Sequence, residues 1–367
     1  MVTKTHWSAM KIASVEAIPV RVPLTKPIVM SHITVYQSDN VLVKVTTDDG
    51  IVGWGEGVEA TDLTGETQQS IQAAIEFMGE RLIGKDPMRR TALWADMSKM
   101  MYANETAAGA IDIALYDIAG KVLDVPVAEL LGGITRREIP ALTMVGSGVP
   151  ADDIAAARTK YDAGYRWFKV KLGIGDIADE LSTVLGMRDE LPPDAIVCGD
   201  ANQGWSEPEA IRFLQALDGH DVRFIEQPIA QGDLAAMLRV THASPIPICA
   251  DQSVHSFSDI ASFWRTGVAG VSLKLVKLGG ITGVMRGANL CESLGLSINL
   301  AGKIAESSVA AAANIHCAAA MRAIDFGCSP GNQGLSGDVT TKPLAIENGH
   351  YQLPTGPGLG IDVDNIS

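Results

Sequence analysis

The stretch RWFKVKLG, residues 166–173, is a short apolar run typical of a buried β-strand, and it is one of eight such runs. The runs start at residues 138, 166, 195, 222, 245, 270, 296 and 322, so 23 to 29 residues separate consecutive starts. In order, they are EIPALTMVG, RWFKVKLG, AIVCGDAN, VRFIEQP, PIPICAD, GVSLKLVK, LSINLAG and RAIDFGC. Helical patterns lie between them, and this regular alternation predicts an α/β fold with a parallel (β/α)₈-type barrel or a close variant.

An open, doubly wound parallel sheet is the alternative arrangement for alternating strands and helices. That fold commonly carries a Gly-rich phosphate-binding loop after an early strand, and no such loop follows the first runs here. One helical segment does show a clear start, because Ser206 is followed three residues later by Glu209, as in a capping box. The pattern therefore favours the barrel.

The first 133 residues follow a different pattern. KIASVEAIPVRV and NVLVKVTTDDGIVGWGE predict an antiparallel β-meander, and residues 64–131 predict amphipathic helices. The length of 367 residues suits one large domain and one smaller domain. We expect a polar, disordered leader at residues 1–9, an α+β capping domain at 10–133 and the barrel at 134–345. The tail, residues 346–367, is expected to complete the α+β domain.

Composition and charge exclude several classes of partner. The net charge is -14 and no basic run occurs, so we expect no nucleic acid partner. No run of eighteen apolar residues is present and the N-terminus has no apolar stretch of signal length, so we expect a cytoplasmic protein without a membrane partner. The five cysteines are an odd number without a CxxC pair, which predicts buried, reduced thiols.

Carboxylates occur at the ends of three consecutive runs: Asp200, Glu226 and Asp251, which are 26 and 25 residues apart. A single acid at a strand end is commonly a helix cap or a solvated loop residue. Three in sequence would crowd one arc of the barrel mouth, because neighbouring strands are about 5 Å apart. All-oxygen ligands suit a hard cation, so the pattern predicts a Mg²⁺ site.

Lysines flank this arc of carboxylates. Lys169 and Lys171 are two apart on the second strand and therefore face the same side, while Lys274 follows the sixth strand, across a ring of eight. Burial and a neighbouring ammonium both favour a neutral amine, so Lys169 would help Lys171 act as a base. A solvated, outward-facing pair is the alternative. Lys277, three residues after Lys274, is expected to lie off its face.

A divalent metal with an amine on each side of the substrate suits one chemistry in particular. Removing a proton α to a carboxylate gives an enediolate, whose negative charge needs a metal ion. One lysine would take the proton from one face, and the other would return it from the opposite face or assist another outcome.

The motifs FKVKLG, GDANQGW, FIEQP, ICADQS and SLKLVKLGG, with GWGEG, AAGAIDIALYDIAGK, VAELLGG and PGLGI outside the barrel, resemble the enolase superfamily. The likeness is to its muconate-lactonizing, two-lysine subgroup and covers nearly the whole chain from Met10. It implies a (β/α)₇β TIM-like barrel with an α+β capping domain, and a homo-oligomer. It also implies one Mg²⁺ per subunit on the three carboxylates, and Lys171 and Lys274 as the acid/base pair, with Lys169 assisting Lys171.

The resemblance also suggests substrate contacts. Asp325 in the eighth run resembles an aspartate that binds the α-ammonium of amino acids, and Asn202 follows the first metal ligand. The stretch MSHITVYQSDN, which holds His32 and Tyr36, is similar to the capping loop of members that act on proline derivatives. Lys303 is not expected from the family, and could contact a substrate carboxylate or a hydroxyl leaving group, or pair with Glu306.

These contacts imply a small, cyclic amino acid carboxylate as the substrate. The expected reaction is dehydration of cis-3-hydroxy-L-proline to pyrroline-2-carboxylate, 2-epimerisation of a hydroxyproline, or both. The alternatives are a muconate-type cycloisomerase and a dipeptide epimerase, although the DxD motif of dipeptide epimerases is missing because Gly327 follows Asp325 by two. A barrel that only binds a ligand is disfavoured, since every predicted catalytic lysine and metal ligand is present.

Overall fold

A computed structural model describes residues 10–29 and 34–364. Within these residues, an N-terminal antiparallel sheet with its helices caps an eight-stranded parallel barrel. The predicted fold class is therefore confirmed. The leader predicted at residues 1–9 lies outside the described residues.

The capping region is a three-stranded meander in the order β1-β2-β3, paired antiparallel throughout as the alternating pattern predicted. Close approaches of its glycines hold it against its longest helix, and the closest is at Gly55 of β3, where a Cβ would lie 1.9 Å from the backbone oxygen of Ala110. Only glycine fits there. The elements are β1 (Ile12–Val29), β2 (Thr34–Thr47), β3 (Val52–Gly57), α1 (Gln68–Leu82), α2 (Arg90–Met100) and α3 (Glu105–Leu123).

The barrel sheet has the strand order β5-β6-β7-β8-β9-β10-β11-β12, and a parallel bridge between Ala141 and Cys328 closes it. Helices follow each of its first seven strands, and no helix follows β12 among the described residues, so the arrangement is (β/α)₇β. The capping box of Ser206 and Glu209 is present at the start of α7. The elements are α4 (Val127–Leu130), β4 (Glu138–Pro140), β5 (Leu142–Val145), α5 (Pro150–Asp162), β6 (Trp167–Lys171), α6 (Ile177–Glu190), β7 (Ile196–Asp200), α7 (Glu207–Ala216), β8 (Ile225–Glu226), α8 (Leu234–Ala243), β9 (Ile248–Ala250), α9 (Phe257–Trp264), β10 (Gly270–Leu273), α10 (Leu275–Leu278), α11 (Gly280–Leu294), β11 (Ser297–Ala301), α12 (Ser308–Ala320), β12 (Cys328–Ser329), β13 (Ile346–Glu347) and β14 (His350–Gln352).

Three of the eight runs differ clearly from their predicted strands. In the sixth run, at residues 270–277, only Gly270–Leu273 form a strand, and the short helix α10 begins at Leu275. The first run divides into β4, which pairs antiparallel with β14 from the C-terminal tail, and β5, which enters the barrel. In the last run, residues 322–327 form a bend and a turn, and only the final cysteine enters β12. Gly327 has a φ of 94°, which an extended strand does not allow, so the strand cannot start before it.

The C-terminal tail contacts both parts of the molecule. Its strand β14 extends the small sheet at the barrel's edge, while Gly358 exchanges backbone hydrogen bonds with Val125 and Val127. The backbone N–H of Leu359 donates to Asp117 on α3 at 2.9 Å. The predicted domain boundaries remain a prediction, and the tail lies where it could complete the cap.

The predicted state of the cysteines is confirmed, because all five are buried and free. Across the described residues, none of the helices has the length and apolar character needed to cross a membrane.

A buried histidine of α12, His316, connects the tail to α4. Its Nδ1 accepts from the backbone N–H of Ala128 at 3.2 Å, so its Nε2 carries the proton and donates to the Leu359 carbonyl at 3.1 Å. Burial lowers the pKa of His316 to about 4. The folded protein therefore holds this imidazole neutral, while the unfolded chain takes up a proton near its ordinary pKa of about 6.5.

We expect the His316 contribution to stability to be present above pH 6.5 and to be lost as the pH falls from there towards 4, because only the unfolded state gains the proton. Between pH 7 and pH 5 this removes about 2 kcal/mol from the free energy of unfolding. Replacing His316 by Gln should make that pH-dependent loss smaller by this amount in urea titrations. An unchanged loss in the variant would contradict the assignment.

Candidate active site

The three predicted metal ligands lie side by side at the C-terminal ends of neighbouring strands. Asp200 ends β7, Glu226 ends β8 and is its direct partner in register, and Asp251 follows β9. All three are buried. The strand ends therefore form the arc of carboxylates that the spacing predicted.

The three predicted catalytic lysines each contact a different carboxylate. Lys169 and Lys171 lie on β6, next to β7, and Lys274 follows β10, four strands along the sheet. Lys169 donates a hydrogen bond to Glu226. The Nζ of Lys171 lies 2.8 Å from Asp200 and the Nζ of Lys274 lies 2.7 Å from Asp251. The structure thus brings all six residues together.

Asn202 lies in the same cluster, although it was predicted to contact substrate. Its backbone adopts a left-handed φ of 43°, and its Oδ1 accepts a 2.7 Å hydrogen bond from the Nζ of Lys171. Its backbone N–H donates to Asp200. Asn202 therefore orients Lys171 in this structure, and a contact with substrate stays a prediction.

Electrostatics at the arc favour the charged forms of Lys169 and Lys274. Burial raises the pKa of the Glu226 carboxyl, and the nearby anions Asp200 and Asp251 raise it further. Lys169 opposes that shift, and its own pKa is raised because Glu226 and Asp200 outweigh its burial. Burial also disfavours a charged Lys274, but the facing carboxylates are stronger and raise its pKa. Lys169 and Lys274 are therefore held in the charged form in this arrangement of the side chains, and the assistance of Lys171 by Lys169 stays a prediction.

Lys277 has a larger role than its sequence position suggested. It is fully buried on the short helix α10, where its Nζ donates to the carboxylate of Asp251 at 2.8 Å and to the carbonyls of Asp251 and Ser272 at 2.7 and 3.0 Å. Three buried acceptors therefore hold this ammonium. Because Asp251 is bound by two lysines, its pKa is well below its ordinary value.

Two further polar side chains around Glu226 were missed. The Ser272 hydroxyl donates to its Oε1 at 2.6 Å, and the Asn299 amide donates to the same oxygen at 3.2 Å. Both come from the middle of buried strands, where the sequence pattern indicated core. A polar residue inside an apolar run was the available signal, since buried polar groups need partners.

The residues fit a Mg²⁺ ion by chemistry, although each carboxylate is hydrogen-bonded to a lysine. Among the described residues, no three acidic, histidine or cysteine side chains converge on one point as a preformed metal site. The donor set is nevertheless all carboxylate, which Mg²⁺ prefers. The buried Oε1 of Gln252, beside Asp251, has no hydrogen-bond partner in the described part of the chain. A buried polar atom of this kind is typical of a site that binds a ligand or an ion.

A cavity of about 270 Å³ opens above the arc. Its lining includes Lys171, Lys274 and Asp200 from the barrel, and Asp62 from the cap. The barrel residue Lys303 also lines it, with its Nζ 2.8 Å from Asp62. Of the alternatives for Lys303, its ammonium pairs with Asp62, while its backbone N–H and carbonyl, and not its ammonium, hydrogen-bond to Glu306.

Of the two predicted capping-loop residues, Tyr36 is among the described residues and His32 is not. Tyr36 is 66% exposed on β2 and lines a neighbouring cavity that shares Asp62 and Lys303, rather than the cavity above the arc. His32 lies outside the described residues. A substrate contact by either side chain stays a prediction.

Asp325 lies away from the site, which corrects the expectation that it binds a substrate ammonium. It precedes β12 by three residues, and it lines a separate cavity together with Ser297, the first residue of β11. That position is at the N-terminal end of the parallel strands, opposite the arc. The residue of the eighth strand that reaches the cavity is Ser329.

The sequence matches two family descriptions over nearly its whole length. Residues 12–132 match the N-terminal domain of mandelate racemase / muconate lactonizing enzyme, and residues 152–367 match the enolase C-terminal domain-like family. The chain belongs to the enolase superfamily. It is therefore an enzyme of the isomerase or lyase type, in the muconate-lactonizing group, whose members generally use Mg²⁺.

Known relatives agree with this membership. A chloromuconate cycloisomerase of Cupriavidus necator is 34% identical and an L-Ala-D/L-Glu epimerase of Bacillus subtilis is 31% identical. The match to the cycloisomerase covers 97% of this chain and 97% of the relative. The match to the epimerase covers 96% of this chain and 97% of the relative. The solved muconate lactonizing enzyme of Pseudomonas fluorescens superposes with a TM-score of 0.92 at 31% identity, covering 97% of each chain. None of the three acts, by its name, on a proline derivative.

We expect replacement of Lys277 by Met to lower the free energy of unfolding by about 3 kcal/mol, because a buried ammonium is lost and its three acceptors lose their donor. Urea titration monitored by fluorescence measures this. The matched control is Lys342→Met at an exposed lysine, which should change stability by less than about 0.5 kcal/mol. Equal effects of the two substitutions would contradict the structural role of Lys277.

Proposed function

We propose that this protein is a Mg²⁺-dependent enzyme that removes the proton α to the carboxylate of a small substrate. The observation that carries the proposal is the order of side chains along the barrel rim: Lys171 on β6, three carboxylates on the next strands, and Lys274 after β10. A substrate over the carboxylates would have one amine on each side. This is the arrangement that proton transfer at a carbon flanked by two bases needs.

Asp200, Glu226 and Asp251 would hold the ion. When bound there, Mg²⁺ would supply positive charge against the negative charge that develops on the substrate carboxylate. Lys171 and Lys274, now paired with Asp200 and Asp251, would then face the substrate instead.

Each lysine has its own task in this proposal. Lys171, oriented by Asn202, takes or returns the α-proton on one face, and Lys274 does so on the other face. Lys169 is the most deeply placed of the three, and its ammonium stays with Glu226. It would add positive charge near the substrate carboxylate rather than move a proton.

Isomerisation is the outcome that we favour for the proton transfer. Support comes from the relatives, which by their names are cycloisomerases and epimerases. A muconate-type cycloisomerase and an epimerase of an amino acid derivative both use this site without a further catalytic group. A dipeptide substrate is less favoured, because the strand that would carry the second acid ends in Ser329.

Dehydration of cis-3-hydroxy-L-proline is the second candidate. Asp325 lies away from the cavity and cannot bind the ring nitrogen of this substrate. The cavity does contain another carboxylate, Asp62, and another ammonium, Lys303. A ring nitrogen and a β-hydroxyl would find partners there. After one lysine takes the α-proton, the hydroxyl leaves as water with a proton from a lysine ammonium of the site, and the dehydrated product forms.

The direct experiment is α-proton exchange in D₂O with Mg²⁺, followed by proton NMR. The panel is cis-3-hydroxy-L-proline, L-proline, N-succinyl-L-lysine, N-acetyl-L-lysine and L-Ala-L-Glu, with muconate tested by loss of absorbance. We expect exchange or isomerisation with at least one compound and its abolition by EDTA. Elimination from cis-3-hydroxy-L-proline would appear as pyrroline-2-carboxylate.

The double substitution of Lys171 and Lys274 by Ala should lower the rate by at least about 10³-fold, because general acid–base catalysis contributes on that order. The exposed control Lys342→Ala should retain the full rate. Full activity in the double variant, or activity that survives EDTA, would contradict the proposal.

A further inference from the structure

One buried ion pair spans the cap and the barrel beside the proposed site. Asp62 comes from the turn between β3 and α1, and Lys303 follows β11. Their side chains are 13% and 7% exposed, and the Lys303 Nζ lies 2.8 Å from Asp62 Oδ1. The two residues lie 241 positions apart in sequence, so the pair exists only in the folded, capped molecule.

The backbone of Lys303 is held firmly. Its N–H donates to Glu306 Oε2 at 3.2 Å, and the other oxygen of Glu306 accepts from the Gly331 N–H at 2.7 Å. A Cβ at position 331 would lie 1.9 Å from the Lys303 carbonyl, so this loop packs without space for a side chain. The backbone from which the Lys303 side chain extends is therefore fixed in place.

The pair has hydrogen-bonding capacity left over. An ammonium has three donors, and within the described residues the Lys303 Nζ has a single acceptor, on Asp62. Both side chains line the cavity above the arc. Lys171 and Lys274 line the same cavity, so the Lys303 ammonium shares it with both proposed bases.

Asp62 has a distinct position among the acids of this cavity. The described lining residues include three carboxylates, and the other two, Asp200 and Glu226, are proposed metal ligands. Asp62 is thus available to hold Lys303 in place. A buried ion pair is weak evidence for stability alone, because desolvation of two charges offsets most of their attraction. Its position at the cavity points to recognition.

We propose that Lys303, held by Asp62, determines substrate specificity by donating hydrogen bonds to an oxygen on the substituent next to the substrate's α-carbon. The oxygen is either a hydroxyl, as in cis-3-hydroxy-L-proline, or a second carboxylate, as in N-succinyl-L-lysine. Lys303 acts in recognition and moves no proton in this proposal. The inference rests on the proposed function, because it places the α-carbon between Lys171 and Lys274.

The test compares two matched pairs of compounds. In each pair one member carries the oxygen and the other lacks it: cis-3-hydroxy-L-proline against L-proline, and N-succinyl-L-lysine against N-acetyl-L-lysine. The kcat/KM for α-proton exchange is measured for the wild type and for Lys303→Met, Lys303→Arg and Asp62→Asn. The pair that the wild type discriminates tells which kind of oxygen is recognised.

We expect Lys303→Met to lower kcat/KM for the oxygen-bearing member by about 10- to 100-fold, the range for a hydrogen bond to a charged group. The member without the oxygen should change by less than about 2-fold. Lys303→Arg should keep part of the wild-type discrimination between the two members of a pair, and Asp62→Asn should weaken that discrimination. If Lys303 only joins cap and barrel, Lys303→Met should lower kcat/KM equally for both members of a pair, and that result would overturn the inference.

Calorimetric titration of the same compounds into the protein with Mg²⁺ provides a readout that does not need turnover. The wild type should bind the oxygen-bearing member more tightly, and Lys303→Met should remove the difference. If the wild type exchanges no α-proton but shows this difference, the proposed function fails while the recognition by Lys303 stands. If it shows exchange without any difference in binding or rate, the recognition by Lys303 fails alone.

Discussion

Three carboxylates on neighbouring parallel strands can share one rim of a barrel only if positive charge compensates them. The register places Asp200 directly beside Glu226, and Asp251 follows on the next strand. Buried like charges at this spacing would otherwise repel strongly. In this structure four lysines supply the compensation, and the same constraint makes the site suitable for a divalent ion.

The lysines differ in how firmly they are held, and that difference separates their tasks. Lys277 is buried among three acceptors and Lys169 faces one buried carboxylate, so both belong to the frame of the site. Lys171 and Lys274 lie at the cavity, where an ion that takes their carboxylates would free them to face the substrate. A single charged cluster therefore supports the fold and, in the proposed reaction, supplies the two bases.

The sequence predicted the barrel and its arc well because both depend on local patterns. The ends of the strands recur at a nearly constant spacing, and the residues at these ends share one rim of the barrel. This rule placed Lys171, Glu226 and Lys274 at the rim without any knowledge of tertiary contacts. It failed at Asp325, because an apolar run does not show where a strand begins: the positive φ of Gly327 delays β12. Asp62 could not be found, since its partner is distant in sequence and nothing local marks it. The cap thus contributes to the cavity through contacts that only the folded chain reveals, as is common for specificity residues on loops.

The most direct measurement of the central claim is the stereochemistry of exchange in the single variants Lys171→Ala and Lys274→Ala. Each enantiomer of the compound that the wild type exchanges most rapidly is incubated in D₂O with Mg²⁺, and loss of the α-proton signal is followed by NMR. The account predicts that each variant loses exchange with one enantiomer and keeps it with the other, because the lysines serve opposite faces. Loss of exchange with the same enantiomer in both variants would contradict it.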